Sequence, residues 1–195
     1  MNRSDEKGYW EFILDKFRAG DRRAFELIYT EYVDALYSYG NRITNHHALV
    51  EDAIQDAFLA IYNHGGSIRK PESIEFYLYK TLRRIITRKL KEKYRFTHPG
   101  QFAEQFDLKF PLEESAAEEV EEHLALLQKE LGALDSKKRE LLFLKFNSGL
   151  TYNEIGAMLE CKPDTVKKQV MRILSKLNVK IKKSAIGLFV LFTKE

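Results

Sequence analysis

Apolar positions recur every three or four residues along most of the chain, and nowhere do they alternate with the two-residue period of a strand. The first stripe, Trp10, Ile13, Leu14 and Phe17, predicts a short amphipathic helix over residues 9–18. Ala19-Gly20 ends it, and Asp21 is placed to cap the next helix. Over residues 22–43, Phe25, Ile28, Tyr29, Tyr32, Val33, Leu36, Tyr37 and Tyr39 keep the period, giving a long helix with an aromatic-rich inner face. Because these rings share one stripe, they are assigned to core rather than to a base-stacking surface. Asn45-His46-His47 breaks the pattern and is assigned to a loop, not a metal site. A third helix over residues 48–62 buries Val50, Ala53, Ile54, Ala57, Phe58 and Ile61.

After a glycine-rich loop ending at Pro71, residues 72–93 carry Leu78, Tyr79, Leu82, Ile85, Ile86 and Leu90 on one face. Residues 95–117 lose the period, contain Pro99, Gly100 and Pro111, and read as a linker in which Phe102, Phe106, Phe110 and Leu112 are free to dock. Helices resume over residues 120–131 (Val120, Leu124, Leu127, Leu131) and 137–146 (Leu141, Leu142, Phe143, Leu144, Phe146). Asn147-Ser148-Gly149 is a stop, with Gly149 suited to a left-handed cap.

Residues 151–174 then read as two helices with a tight break. Thr151 and Glu154 form a T-x-x-E capping box, and Ile155, Met158 and Leu159 make the first apolar stripe. Gly156 leaves room for close crossing, and Pro163 suits the first position of a new helix. In that helix Val166, Val170, Ile173, Leu174 and Leu177 face inward, leaving Lys167, Lys168, Arg172 and Lys176 outside. Two crossed helices with a cationic second member form a helix-turn-helix, whose second helix enters the DNA major groove. The competing reading is an ordinary helical hairpin with solvated lysines. The predicted fold is therefore all-α: two small helical domains, residues 1–95 and 119–183, an acidic linker over 96–118, and an apolar tail over 184–195. The tail's apolar run, 185–192, is far short of the roughly twenty residues that span a bilayer.

The formal net charge of +3 says little, but its distribution does. Residues 69–95 hold ten Lys or Arg against three acids, residues 104–122 hold eight acids against Lys109, and residues 162–183 are basic again around Asp164. Two cationic surfaces separated by an acidic connector are implied. On the helix over 72–93, Lys80, Arg83, Arg84 and Arg88 lie beside Phe76 and Tyr77, the combination that single-stranded nucleic acid needs; a solvated basic face is the alternative. On the helix over 48–62, Asp52, Gln55, Asp56, Leu59 and Tyr62 form a mixed face that fits either solvent or a docked partner. Cys161, the single cysteine, is assigned to a small buried thiol, and the N-terminus lacks the apolar run of a signal peptide, which together point to the cytoplasm. No nucleophile–base set, phosphate-binding glycine loop or metal-ligand cluster is present in the pattern, so no catalytic residue, metal or cofactor is expected.

The order of these pieces resembles an extracytoplasmic-function (group IV) sigma factor of bacterial RNA polymerase. RAGDRRAFELIYTEYVDALYSYGNRIT is similar to the opening of that family's region 2, and VEDAIQDAFLAIY to its polymerase-binding segment. FYLYKTLRRIITRKL resembles the helix that contacts the −10 element, and the stretch from LDSKKRELL to RILSKL resembles region 4, which binds the −35 element. The resemblance implies that Asp52, Gln55, Asp56 and Leu59 dock on core polymerase. It implies that Phe76, Tyr77, Lys80, Arg83, Arg84 and Arg88 lie along the −10 strand, with residues 65–73 capturing a flipped base. Lys162, Thr165, Lys168, Gln169 and Arg172 would enter the major groove, with Lys167 nearer the phosphates. An anti-sigma factor is the expected regulator. The chain departs from the family in Arg84 where Asn is frequent, Glu160 where Gly is usual, and Lys162 where Ser is usual. A conventional helix-turn-helix regulator with an N-terminal dimerisation domain is the rival; it predicts a two-fold symmetric site bound without polymerase.

Overall fold

A computed structural model describes residues 3–64, 68, 72–97, 105–108 and 118–181. Most of the 65–73 loop, Phe102, Phe110, Leu112 and the 184–195 tail lie outside the described residues. The elements are α1 (Arg3–Arg18), α2 (Arg22–Ile43), α3 (His47–His64), α4 (Glu72–Thr97), α5 (Glu118–Gly132), α6 (Ser136–Phe146), α7 (Tyr152–Met158) and α8 (Pro163–Ile181), and no described residue lies in a strand. The chain divides into two units, residues 1–104 and 105–195.

Caps chosen by the sequence set several helix ends. The Asp21 carboxylate accepts from Arg23 N at 2.8 Å and Ala24 N at 3.4 Å, opening α2. Asp135 does the same for α6 through Lys138 N at 2.9 Å. Other ends run past the apolar stripes. α1 starts at Arg3 and α4 continues to Thr97, because a stripe marks only where a helix is buried, not where it stops.

In the first unit α3 packs against α2 and α4, α2 against α4, and α1 along α2. Leu14, Ile28, Leu36, Ile61, Ile74, Leu78, Leu82 and Ile86 are fully enclosed, each contributing about 1.5–3 kcal/mol. The α2 rings do not form the uniformly buried face expected of them. Tyr39 alone of that stripe's rings is fully buried, against Tyr79 at 4.9 Å, while Phe25, Tyr32 and Tyr37 are half-buried and Tyr29 is exposed. They occupy the rims of the helix interfaces and make ring contacts, Phe25 edge-on with Tyr62 at 5.2 Å and Tyr29 tilted against Phe58 at 4.6 Å. Burial, with Glu75 and Glu31 nearby, pushes the Tyr32 hydroxyl well above the ordinary phenol range.

In the second unit α8 is the common partner of α5, α6 and α7. Leu127, Leu131, Leu141, Leu142, Leu144, Ile155, Val166, Val170 and Ile173 build its core. Phe106 and Leu108, expected in the linker, are buried here, and the Phe106 ring lies 5.6 Å from that of Phe143. An aromatic residue in an otherwise polar stretch gains more from this core than from water.

Candidate nucleic-acid interface

The approach to the helix-turn-helix is held by Lys145. Its Nζ donates to the Leu150 carbonyl at 3.1 Å and lies 5.0 Å from the Tyr152 ring centre. Gly149 takes the left-handed conformation expected of it, at φ 62°. The capping box is complete: Glu154 N donates to Thr151 Oγ1 at 3.3 Å, and Thr151 N donates to Glu154 Oε2 at 2.8 Å.

The turn after α7 resolves the mismatch visible in the sequence. Glu160 adopts φ 55°, a left-handed conformation that costs a non-glycine residue about 1–2 kcal/mol. It brings the Cys161 N–H back to the Gly156 carbonyl at 2.9 Å, a helix-closing bond that offsets about 0.5–1.5 kcal/mol of that cost. A Cβ on Gly156 would stand 2.6 Å from the Cys161 carbonyl oxygen and 3.3 Å from Pro163 N, so the turn closes only over glycine. Cys161 is half-buried there, not buried as expected, and its carbonyl oxygen faces Gly156 of α7. Lys162 caps α8 with its backbone: its carbonyl accepts from Thr165 N at 2.9 Å and Val166 N at 3.1 Å, leaving the ammonium free of any capping duty.

Along α8, Val166, Val170, Ile173 and Leu177 are buried, while Lys162, Thr165, Lys167, Lys168 and Arg172 are exposed and Gln169 is half-buried. Met171 stands among these cations at 57% exposure. Sequence reasoning passed over it, although an apolar residue out of register with Val166, Val170 and Ile173 was a legible signal.

On α4, Lys80, Arg84 and Arg88 are exposed and Arg83 is half-buried. Phe76 and Tyr77, expected to be exposed, are half-buried, since Ile74 and Leu78 on either side draw the first turns of α4 into the core. Lys80 Nζ lies 5.4 Å from the Phe76 ring centre, one helical turn away. On α3, Asp52, Gln55 and Asp56 are exposed, and Leu59 and Tyr62 are each 56% exposed. Asp56 is engaged within the fold: its Oδ2 accepts from Lys89 Nζ of α4 at 3.2 Å. No group of three or more His, Cys, Asp or Glu among the described residues is placed to hold a metal ion, and no described helix is long and apolar enough to cross a membrane.

Comparison with known proteins fits this arrangement. Residues 28–96 match the sigma-70 region 2 family and residues 124–177 match the sigma-70 region 4 family. The RNA polymerase sigma-H factor of Pseudomonas aeruginosa is 24% identical over 169 residues, covering 82% of this chain and 87% of the relative. The ECF RNA polymerase sigma-E factor of Escherichia coli is 23% identical over 179 residues, covering 88% of this chain and 93% of the relative. The sigma factor RpoE of Bartonella quintana, solved in complex with the anti-sigma factor NepR, superposes with a TM-score of 0.57 at 22% identity, over 81% of this chain and 96% of that one. The chain belongs to the sigma-70 family of transcription initiation factors. Within it, the chain functions as an extracytoplasmic-function sigma factor, which directs core RNA polymerase to promoter DNA. A conventional regulator with a dimerisation domain is disfavoured, because the N-terminal helices are those of region 2.

Proposed function

We propose that the exposed face of α3, formed by Asp52, Gln55, Asp56 and Leu59, docks on core polymerase, and that residues 1–95 and 119–183 divide −10 and −35 recognition between them. In this reading Lys80, Arg83, Arg84 and Arg88 track the −10 strand, and the half-buried Phe76 and Tyr77 offer rings for stacking, with residues 65–73 taking a flipped base. Lys162, Thr165, Lys168, Gln169 and Arg172 read duplex DNA at −35, with Lys167 on phosphate. Met171 adds an apolar contact of the kind a thymine methyl provides.

The observation that carries this reading is α8: cations project from one face of a helix whose opposite face is locked into the second unit. Catalysis then resides in the polymerase, with this chain supplying no active site, and the work takes place in the cytoplasm. The Bartonella factor was solved with an anti-sigma protein, which supports a protein of that kind as the regulator here. The test is transcription in vitro with core polymerase. Initiation confined to particular promoters is the expected result; binding of a palindrome by the protein alone, without initiation, would overturn the reading.

A further inference from the structure

Asp52 and Asp56 stand one helical turn apart on the exposed face of α3, and the fold treats them differently. Asp52 makes no ion pair with a described residue, whereas Asp56 Oδ2 lies 3.2 Å from Lys89 Nζ of α4. Lys89 reaches that carboxylate from the packed side of its helix. It shares the helical stripe of Leu82, Ile85 and Ile86, which are all buried. Its side chain is 30% exposed and that of Asp56 49%, so the ammonium emerges at the rim where α3 and α4 pack together. A stem already packed on one side has less rotamer freedom to lose when the pair forms. Lys80, Arg84 and Arg88, the exposed cations of α4, lie off that stripe, so Lys89 stands apart from the face assigned to DNA. What it does face is an acid of the docking surface.

We propose that Lys89 is a built-in competitor for the polymerase: it covers the Asp56 carboxylate in the free chain, and a cation of core RNA polymerase takes its place on docking. The proposal rests on the assignment of the α3 face to core docking made above. Core affinity is then set below what the same face gives with Asp56 open, by the strength of one exposed ion pair. Asp52 has no such competitor.

The experiment titrates the full chain against purified core polymerase at low and high salt, as wild type, Lys89→Met, Lys89→Arg, Asp56→Asn and the double variant of Asp56→Asn with Lys89→Met. Lys89→Met keeps an unbranched stem and removes the charge. It should bind core about twofold to fivefold more tightly, the range of one exposed ion pair, and the gain should shrink as salt screens that pair. Lys89→Arg, which keeps a cation beside Asp56, should bind as the wild type does. In the Asp56→Asn background Lys89→Met should change nothing, because the carboxylate it uncovers is gone. Should thermal unfolding show that Lys89→Met disturbs the packing of α3 on α4, Lys89→Gln should give the same gain. Unchanged or weaker core binding by the folded, uncharged variant would overturn the proposal; weaker binding would mean that Lys89 holds Asp56 in place for its partner. An equal gain in both backgrounds would overturn it too, since the removed charge would then act on the whole face and not on Asp56. The two layers separate cleanly. If Asp56→Asn leaves core affinity unchanged, the docking assignment of Asp56 fails; if Asp56→Asn weakens binding while Lys89→Met gains nothing, the Lys89 proposal fails by itself.

Discussion

The two units offer their charged faces differently. In the first, Asp56 of α3 is already paired with Lys89 of α4, Arg83 is half-buried, and Lys80 lies beside the Phe76 ring. In the second, Lys167, Lys168 and Arg172 project from α8 with no ion pair to a described residue. On the proposed contacts, the first unit would exchange internal contacts for external ones on binding, and the cations of α8 would only add contacts. The exchange is cheap, since an exposed ion pair contributes about 0–1 kcal/mol. It also links a candidate polymerase contact to the basic helix beside it.

The largest expected effect breaks the first unit's docking face. Changing Asp52 and Asp56 to Lys should cost core affinity on the order of a hundredfold, as reversed charges do at a complementary interface. Co-purification with core polymerase measures it, and undiminished recovery would remove the assignment. The exchanged pair D56K with K89D sharpens the comparison. It keeps an ion pair between α3 and α4 while removing the acid from the face, so recovered core binding would show that Asp56 acts through Lys89.

A second prediction concerns the turn on which the second unit's presentation depends. Gly156→Ala should destabilise that unit by about 1–3 kcal/mol, because the new Cβ meets backbone, which moves less readily than a side chain. Thermal unfolding of the full chain checks it; an unchanged melt would mean that the turn yields without loss.

Within α8, Arg172→Ala should cost about 1–3 kcal/mol of binding on promoters that carry one particular −35 base, whereas Lys167→Ala should weaken all promoters alike and reduce the salt dependence. A uniform loss from Arg172→Ala would move that residue from base to phosphate. The smallest effect is a gain: Glu160→Gly should stabilise the second unit by up to about 1 kcal/mol, by relieving the left-handed strain. A fall in the melting temperature would instead show that the Glu160 side chain contributes more than its backbone costs.

Much of this molecule was legible from local chemistry. Asp21 and Thr151 were readable as caps because a cap is made by side chains a few residues from the groups they satisfy. The α3 stripe was read correctly residue by residue, since Val50, Ala53, Ile54, Ala57, Phe58 and Ile61 are all buried. The awkward turn at Glu160 was visible through the family resemblance, since Gly is usual at that position and Glu160 takes its left-handed conformation at a cost. Phe76 and Tyr77 were misjudged for the opposite reason. Their burial depends on how α4 enters the core, and no periodicity states that.

The sequence by itself determined the all-α class, most of the caps and breaks, and which side of each helix is apolar, because these follow from contacts a few residues apart. Only the tertiary structure decided that Asp56 meets Lys89, that Phe106 joins the second unit's core, and that Arg18 reaches the carbonyl of Ile68. Those contacts join residues far apart in the chain, and they exist only once packing has fixed the distance and rotation of each helix against its neighbours.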